Sequence, residues 1–169
     1  MLKSFKKFLM WITLTPVGTY CDRYIVRFTG FSLVSAVFAF SIGIPYQTTL
    51  ALRTIGKRSG RLRMTPMPYR KIGDAYILIG SFGGSPRHPS WALNLMANPV
   101  AWIWVDRKQI PVKAELLTGE ERQKVFDGIS QGRGPYVRYK KMAMPRQLPV
   151  LRLTPFDAAW KNLSKDRVG

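Results

Sequence analysis

Side chains that act directly as acids, bases or nucleophiles are scarce in this chain of 169 residues. There is one histidine, His88, so any hydrolytic triad would depend on it. There is one cysteine, Cys21, and one cysteine with one histidine is too few ligands for a structural zinc site. No pair of carboxylates lies in an apolar setting, which argues against glycoside hydrolysis. The sequence therefore predicts no metal site, and it indicates that a cofactor would supply the reactive atom if the chain is an enzyme.

The charge of the chain predicts an anionic partner. There are 27 lysines and arginines against 9 aspartates and glutamates, so the net charge is +18. A phosphorylated small molecule, a nucleic acid or an acidic membrane face would each suit this charge. Residues 53–71 and 133–146 contain basic side chains and no acid, and folding either joins the two stretches into one face or leaves them apart. Nucleic acid is the weakest of the three because no recognised nucleic-acid motif is present.

A glycine-flanked basic loop, residues 56–63, is the first candidate binding site. Lys57, Arg58, Arg61 and Arg63 offer charge-assisted hydrogen bonds to phosphate oxygens, and Ser59 and Thr65 add hydroxyl groups. The glycines at both ends of the turn let the backbone approach an anion closely. The same pattern is typical of an ordinary exposed hairpin turn, and spacing alone does not separate the two interpretations.

A second candidate site is the run Ser81-Phe82-Gly83-Gly84, which follows an apolar stretch. A strand that ends in two glycines presents backbone amides to a ligand, and such amides bind carbonyl oxygens of a flat heterocycle. The alternative is a bulge at a barrel corner. His88, a few residues on, is interpreted as a helix cap or a loop residue rather than a catalyst.

Tyr136 and Tyr139 form a third candidate, because a spacing of three places both on one face of a helix. They would close an apolar pocket and donate hydrogen bonds to a carbonyl or nitro group of a substrate. The alternative is plain core packing. Trp91, Trp102 and Trp104 are expected in the core or in the pocket walls.

The elements that would hold these residues are short and mostly extended. Alternating stretches predict strands at residues 47–54, 63–70, 75–81, 100–105, 109–116 and 148–153. Pro66 and Pro68 make the second of these an edge or bulged strand. Helices are predicted at residues 89–97, after a capping box of Thr118 and Glu121, and from Tyr136. The fold class is therefore mostly β (α+β), a barrel of about six antiparallel strands with short helices.

The first 45 residues form an apolar, basic segment unlike the rest of the chain. Residues 1–15 suit a helix with Leu2, Phe5, Leu9 and Ile12 on one face and lysines interleaved, which would lie on a membrane or dock on the domain. Residues 28–45 lack charge but are short for a bilayer span, and Pro45 ends any helix there. A buried or membrane-facing hairpin is favoured over a transmembrane helix.

Four blocks of residues follow one another in order along this sequence. They are LALRTIGKRSG at residues 50–60 with Arg63 and Thr65-Pro66, then Ser81-Phe82-Gly83-Gly84 with His88-Pro89, Trp91, Asn94-Leu95 and Asn98-Pro99, then residues 117–122, and last Pro135-Tyr136, Tyr139 and residues 146–153. Together these blocks resemble the deazaflavin (F420)-dependent nitroreductases, a family of split β-barrel flavin and deazaflavin oxidoreductases. The resemblance covers about residues 46–155. It implies three parts: an N-terminal segment 1–45, a split-barrel deazaflavin-binding domain 46–155 and a basic tail 156–169.

The resemblance implies an F420H2-dependent oxidoreductase that passes a hydride to a quinone, a nitroaromatic or an unsaturated lipid. The anionic tail of F420 would lie against Lys57, Arg58, Ser59 and Arg63, with Thr65-Pro66 beside the ring and Asn94 supporting the tail. Backbone from Ser81 through Phe82 and Gly83 to Gly84 would hold the ring. Ser81, Tyr136 and Tyr139 would act at the reacting centre. FMN is the alternative cofactor, and a non-catalytic barrel that binds a lipid, FMN or haem is the alternative function.

Two features depart from the family pattern. Arg133 stands where relatives often have a further pocket tyrosine, so the choice of acceptor is open. The apolar N-terminal segment predicts attachment to the cytoplasmic side of the cell membrane, as a peripheral protein or through one anchor. The oligomeric state is open, with a homodimer as one option.

Overall fold

The computed structural model describes residues 9, 11, 13, 15–132 and 134–156. The helices are α1 (Pro16–Thr29), α2 (Leu33–Ile42), α3 (Ser90–Ala97), α4 (Gly119–Ser130) and α5 (Pro135–Ala143). The strands are β1 (Thr49–Ile55), β2 (Leu62–Pro68), β3 (Arg70–Ile72), β4 (Ala75–Ile79), β5 (Val100–Val105), β6 (Lys108–Leu116) and β7 (Val150–Pro155). The predicted helix of residues 1–15, the tail beyond residue 156 and Arg133 lie outside the described residues, apart from the few positions named above.

The strands form one curled antiparallel sheet in the order β2-β1-β5-β6-β7-β4-β3. The sequence predicts about six strands, and the described part of the chain has seven because the expected strand 63–70 divides in two. Pro68 has no N–H to give to a ladder, and the next N–H, from Tyr69, bonds to the carbonyl oxygen of Thr48 at 3.1 Å. This bond links the β2–β3 junction to the start of β1, so the two ends of the sheet curl towards each other.

Three apolar clusters of described residues fill the fold: one inside the curled sheet, one beside it and a small one on its outer face. Leu50, Leu52, Leu78 and Leu151 lie inside with Trp91 from α3. The second cluster joins Phe126 of α4 to Leu148 and Val150 at the start of β7. On the outer face of the sheet, Val26 of α1 packs on Ala51 and Trp104. Each strand except β3, whose three residues are exposed, therefore has buried side chains, and these fix its register.

The structure confirms the predicted turn between β5 and β6 but not the predicted capping box at the start of α4. The turn between β5 and β6 has Asp106 and Arg107 both left-handed, at φ 50° and 64°, as a tight hairpin requires. At α4, Thr118 occupies the predicted N-cap position, but its side chain makes no capping hydrogen bond. Glu121 instead pairs with Arg152 of β7, which also contacts Glu115. The predicted capping box is therefore wrong in its contacts, because the opposite charge on β7 competes for Glu121.

A buried acidic residue fixes the break between α1 and α2. Asp22, only 2% exposed, accepts hydrogen bonds from Ser32 Oγ at 2.7 Å and from the N–H of Val34 at 3.2 Å. Ser32 caps α2 and also donates its N–H to the Tyr46 hydroxyl at 3.0 Å. Among the described helices none alone has the length and apolarity to cross a bilayer, whereas α1 and α2 together have both but are bent by 108°.

Candidate functional site

A cavity of about 270 Å³ lies between α2, α5 and the loop that follows β4. One wall is a single face of α2, made by Val34, Ser35, Phe38 and Ala39. The facing wall contains Ser81, Gly83, Tyr136 and Tyr139, which the sequence predicts as site residues. The fold thus brings together residues that are more than fifty positions apart in the chain. The lining is mostly apolar, so the cavity suits an apolar or conjugated ring.

The sequence allows Tyr136 and Tyr139 either to line a pocket or to pack in the core, and in the structure they do both. Their rings pack against the Phe126 cluster, and both also line the cavity. Desolvation raises the pKa of Tyr136 to about 12, because burial penalises the charged phenolate. Burial also raises the pKa of Tyr139. Both hydroxyls therefore remain protonated at neutral pH and are able to donate hydrogen bonds.

Residues 81–84 form a tight turn rather than an extended ledge. Phe82, Gly83 and Gly84 are left-handed in succession, at φ 47°, 63° and 81°. The N–H of Gly84 bonds to the carbonyl of Ser81, and that of Ser85 bonds to Phe82. Within the described part of the chain, the N–H groups of Phe82 and Gly83 have no hydrogen-bond partner. These two adjacent amides are the ones available to a ligand.

The prediction that Gly83 and Gly84 both present backbone amides to a ligand is wrong for Gly84. Gly84 is buried, and its N–H is already used within the turn. A Cβ at this position would lie 2.8 Å from Cβ of Met142, closer than side chains tolerate. Gly84 is thus needed for close packing on α5. At Gly83, by contrast, a Cβ would meet nothing within 4 Å, so there is open space beside its amide.

Arg146 holds this turn in place. Its guanidinium donates to three carbonyl oxygens: Gly80 at 3.1 Å, Ser81 at 3.0 Å and Ser85 at 2.7 Å. The left-handed Phe82, strained for a residue with a Cβ, lies inside the arc that these bonds close. Arg146 is therefore committed to the backbone and is not free to bind an anion.

The basic loop keeps its cations in solvent and is braced from beneath. Lys57, Arg58 and Arg63 are exposed. Buried Asn94 of α3 accepts a hydrogen bond from the N–H of Lys57 at 2.9 Å, and its amide donates to Thr54 Oγ1 at 3.0 Å. Asn94 therefore acts on the loop, and a ligand would touch the loop rather than Asn94. Ser59 is exposed too, with its Oγ 3.4 Å from the N–H of Arg61.

The β1–β2 hairpin connects the loop to the cavity. Pro68 lines the cavity, and Arg63 lies five residues earlier in β2, about 17 Å away at the rise of a strand. Thr65 pairs with Leu52 of the inner cluster, whereas Pro66 pairs with Ala51 of the outer one. The two side chains therefore face opposite sides of the sheet, and only one of them can face a given ligand. A molecule that reaches both loop and cavity must be elongated.

Other residues singled out by the sequence have structural positions. His88 is exposed in a loop, and Pro89 rather than His88 is the N-cap of α3. Desolvation, with a smaller effect of the Arg146 charge, lowers the pKa of His88. Trp91 and Trp104 are buried in the core, and Trp102 packs against it. Among the described residues, no cluster of three or more His, Cys, Asp or Glu side chains could hold a metal ion.

One further motif match has no catalytic geometry. Residues 128–132 read Gly-Ile-Ser-Gln-Gly, the spacing of a hydrolase nucleophile elbow. Such an elbow needs a sharp turn between a strand and a helix. Ser130 is instead the buried last residue of α4, with its Oγ 3.5 Å from the carbonyl of Asp127. This serine is part of a helix end.

Sequence reasoning missed two polar side chains of the site, Gln47 and Arg146. Gln47 lines the cavity and accepts a hydrogen bond from the Tyr136 hydroxyl at 3.4 Å. Both missed residues act across the fold, at separations of 89 and about 65 residues, and no local pattern marks them. The sequence predicts a buried or membrane-facing hairpin for the segment that contains α2, but it does not predict that α2 forms a wall of the cavity.

Comparison with known proteins gives consistent matches. A profile of the F420H2-dependent quinone reductase family matches residues 34–155. An F420H2-dependent quinone reductase of Mycobacterium tuberculosis (strain H37Rv) is 42% identical over 67 residues, which are 40% of this chain and 45% of that protein. The aligned part thus spans a little under half the length of the curated relatives it matches.

Two solved structures share the fold. An F420-H2 dependent reductase, FDR-A, is 31% identical with a TM-score of 0.55, over 62% of this chain and 92% of that one. A structure described as a domain-swapped dimer is 26% identical with a TM-score of 0.58, over 81% of this chain and 96% of that one. The likeness to FDR-A confirms the predicted split-barrel fold.

Proposed function

The chain belongs to the F420H2-dependent quinone reductase family, and we propose that it transfers a hydride from reduced F420 to a lipophilic conjugated acceptor. A quinone is the first choice, with nitroaromatics and unsaturated lipids as further acceptors. The observation that carries this proposal is the joint arrangement of the exposed basic loop, the open amides of Phe82 and Gly83, and the apolar cavity that Gly83 lines. An elongated ligand with an anionic tail and a flat polar ring suits this arrangement.

The residues present fit F420. Lys57, Arg58 and Arg63 would pair with the phosphate and glutamate groups of its tail, with Ser59 in the same turn. The N–H groups of Phe82 and Gly83 would bind a carbonyl oxygen of the ring, where the space beside Gly83 is open. Bound in its reduced form, F420 supplies the hydride. FMN also carries a phosphate, but it lacks the glutamate tail that would use the full set of cations.

The chain's own contribution is to position the acceptor and stabilise charge on it. Ser81, Tyr136 and Tyr139 line the cavity. The protonated hydroxyls of Ser81 and Tyr139 would stabilise negative charge that develops on an acceptor oxygen, whereas the Tyr136 hydroxyl donates to Gln47. The apolar face of α2 would exclude water from the reacting groups. None of these groups needs to become covalently modified, which agrees with the scarcity of nucleophiles in the sequence.

We infer attachment to the cytoplasmic face of the cell membrane from the surface of α1 and α2. Val17, Tyr20, Tyr24 and Phe28 follow at helical spacing along α1, and all are exposed. Arg23 lies on the same helix, and Leu33 and Phe40 continue the apolar surface on α2. Aromatic side chains beside basic ones suit the interface of an anionic leaflet.

Sedimentation with anionic vesicles tests this attachment. The intact protein is expected to sediment with them, and a protein that lacks residues 1–15 should still sediment if the exposed side chains of α1 and α2 carry the attachment. If the truncation releases the protein, residues 1–15 carry the attachment instead. If the intact protein stays in the supernatant, the membrane proposal is wrong.

Anaerobic oxidation of F420H2 tests the proposed reaction. The purified protein should oxidise F420H2 only when a quinone is present, with one quinone reduced for each F420H2 consumed. A protein that binds FMN or haem tightly and leaves F420H2 untouched would instead be the non-catalytic barrel. That result would overturn the proposed function.

A further inference from the structure

Gln47 lines the cavity, and the proposed reaction gives it no role. It lies just before β1, and its backbone carbonyl accepts a hydrogen bond from the Thr49 hydroxyl at 3.0 Å. Its side-chain Oε1 lies 3.4 Å from the Tyr136 hydroxyl. The backbone of Gln47 is therefore held by Thr49, and its carboxamide is held by Tyr136.

The hydrogen-bond donors and acceptors of Gln47 and Tyr136 determine which of the two side chains can bind a ligand. A tyrosine hydroxyl has one hydrogen, and Tyr136 gives it to Gln47 Oε1. A carboxamide has two further N–H groups on Nε2, and among the described residues they have no acceptor. At this place in the cavity, the unused donors thus belong to Gln47 rather than to Tyr136.

We propose that Gln47 is a specificity-determining residue: its Nε2 amide donates a hydrogen bond to an oxygen of the conjugated acceptor, while Tyr136 orients the carboxamide. This role rests on the proposed acceptor site. The surrounding wall is apolar, so an acceptor without an oxygen would leave the amide donors unpaired when water is excluded. Gln47 selects carbonyl-bearing or nitro-bearing rings over hydrocarbons of the same shape, and it does not transfer a proton.

Equilibrium dialysis with a matched pair of ligands tests this role without any cofactor. The pair is 2,3-dimethyl-1,4-naphthoquinone and 2,3-dimethylnaphthalene, which differ only in the two carbonyl groups. Methyl groups at both ring positions prevent addition of the exposed thiol of Cys21. The wild-type protein should bind the quinone about tenfold more tightly than the hydrocarbon.

Three substitutions separate the possible donors. In Gln47→Leu the preference for the quinone should fall about fivefold, while affinity for the hydrocarbon is retained. Gln47→Glu keeps an acceptor for Tyr136 but loses the amide donors at pH values where the acid is ionised. In this variant the preference for the quinone should fall at least as far as in Gln47→Leu. Gln123→Leu removes a similar carboxamide, hydrogen-bonded to Asp127 on α4, and should change nothing.

Tyr136→Phe provides the decisive contrast. If Gln47 is the donor, this variant should keep the preference to within about twofold. If the preference is lost in Tyr136→Phe and kept in Gln47→Leu, Tyr136 is the donor and the proposal is overturned. Equal affinity of the wild-type protein for the two ligands would overturn it as well.

The same variants distinguish a failure here from a failure of the proposed function. Titration of each folded variant with F420 reports on the cofactor site alone. If F420 does not bind but the quinone preference depends on Gln47, the cofactor assignment is wrong and the role of Gln47 stands. If F420 binds and substitution of Gln47 does not change the preference for the quinone, only the inference about Gln47 is wrong.

Discussion

The buried side chain of Asn94 accepts a hydrogen bond from the backbone N–H of Lys57, 2.9 Å away and 37 residues earlier in the chain. This bond ties a core helix to the base of the exposed cationic loop. The loop therefore keeps its shape while its lysine and arginine side chains stay in solvent. A rigid loop loses less conformational entropy when it binds an anion than a mobile one would.

Asn94→Asp should weaken F420 binding about tenfold, because it places a negative charge beneath the loop and removes the bond to Thr54. The loss should shrink at high ionic strength, since salt screens the new charge. Fluorescence titration at two salt concentrations measures both effects. Gln109→Glu makes the same change on an exposed strand residue and should leave the affinity unaltered.

Arg146→Lys should loosen the turn of residues 81–84, because an ammonium group cannot reach three carbonyl oxygens at once. We expect a loss of about 1–2 kcal/mol in the free energy of unfolding. The amides of Gly84 and Ser85, which close the turn, should exchange faster with deuterium. Arg138→Lys, an exposed change on α5, is the control. Unchanged exchange at both amides would show that Arg146 does not hold the turn.

Much of the fold follows from local patterns, and the site follows only in part. The β5–β6 hairpin was predictable because Asp106-Arg107-Lys108 separates two apolar stretches, and the structure confirms it. Asn98-Pro99 correctly ends α3, since a residue before proline leaves the helical region. The division of the second strand at Tyr69 was not predictable, because it depends on the carbonyl of Thr48.

In the candidate site, too, contacts between distant segments could not be predicted from the sequence. Ser81, Tyr136 and Tyr139 were identified from their residue types and from a resemblance, and the cavity does bring them together. Gln47, Arg146 and the α2 wall were not, because their roles arise from contacts between distant segments. Gly84 was assigned to ligand binding, although only the position of Met142 shows why a glycine is needed there.

The pKa of Tyr136, raised by burial to about 12, predicts a specific pH dependence. An unfolded tyrosine ionises near pH 10, so between pH 10 and 12 the folded state holds a proton that the unfolded state has lost. Stability from this residue is thus complete below pH 10 and is lost as pH rises towards 12. Ultraviolet titration of tyrosinate should lose its latest component in Tyr136→Phe. Loss of an early component instead would show that Tyr136 is solvated.

Asp22→Ala should destabilise the protein by about 2–3 kcal/mol, because it leaves the Ser32 hydroxyl and the N–H of Val34 without their acceptor. The change also releases the start of α2, which forms one wall of the cavity. Chemical denaturation measures the stability, and dialysis with the dimethylnaphthoquinone measures the cavity. Asp74→Ala, in an exposed turn, is the control. Equal stability of the two variants would contradict the structural role of Asp22.

The proposed function depends on the basic loop, residues 56–63, as the place where an anionic redox cofactor is held. The double variant Lys57→Glu with Arg58→Glu reverses two exposed charges and should leave the fold intact, since neither side chain is buried. Lys124→Glu with Lys141→Glu makes the same change in net charge on exposed residues of α4 and α5.

The most direct measurement is fluorescence titration of F420 with the wild-type protein and these two double variants. The wild type and the α4–α5 variant should quench F420 with equal, micromolar or tighter affinity, as expected of a charge-paired tail. The loop variant should show no saturable binding. Unchanged affinity in the loop variant, or no binding of F420 by the wild type, would contradict the account.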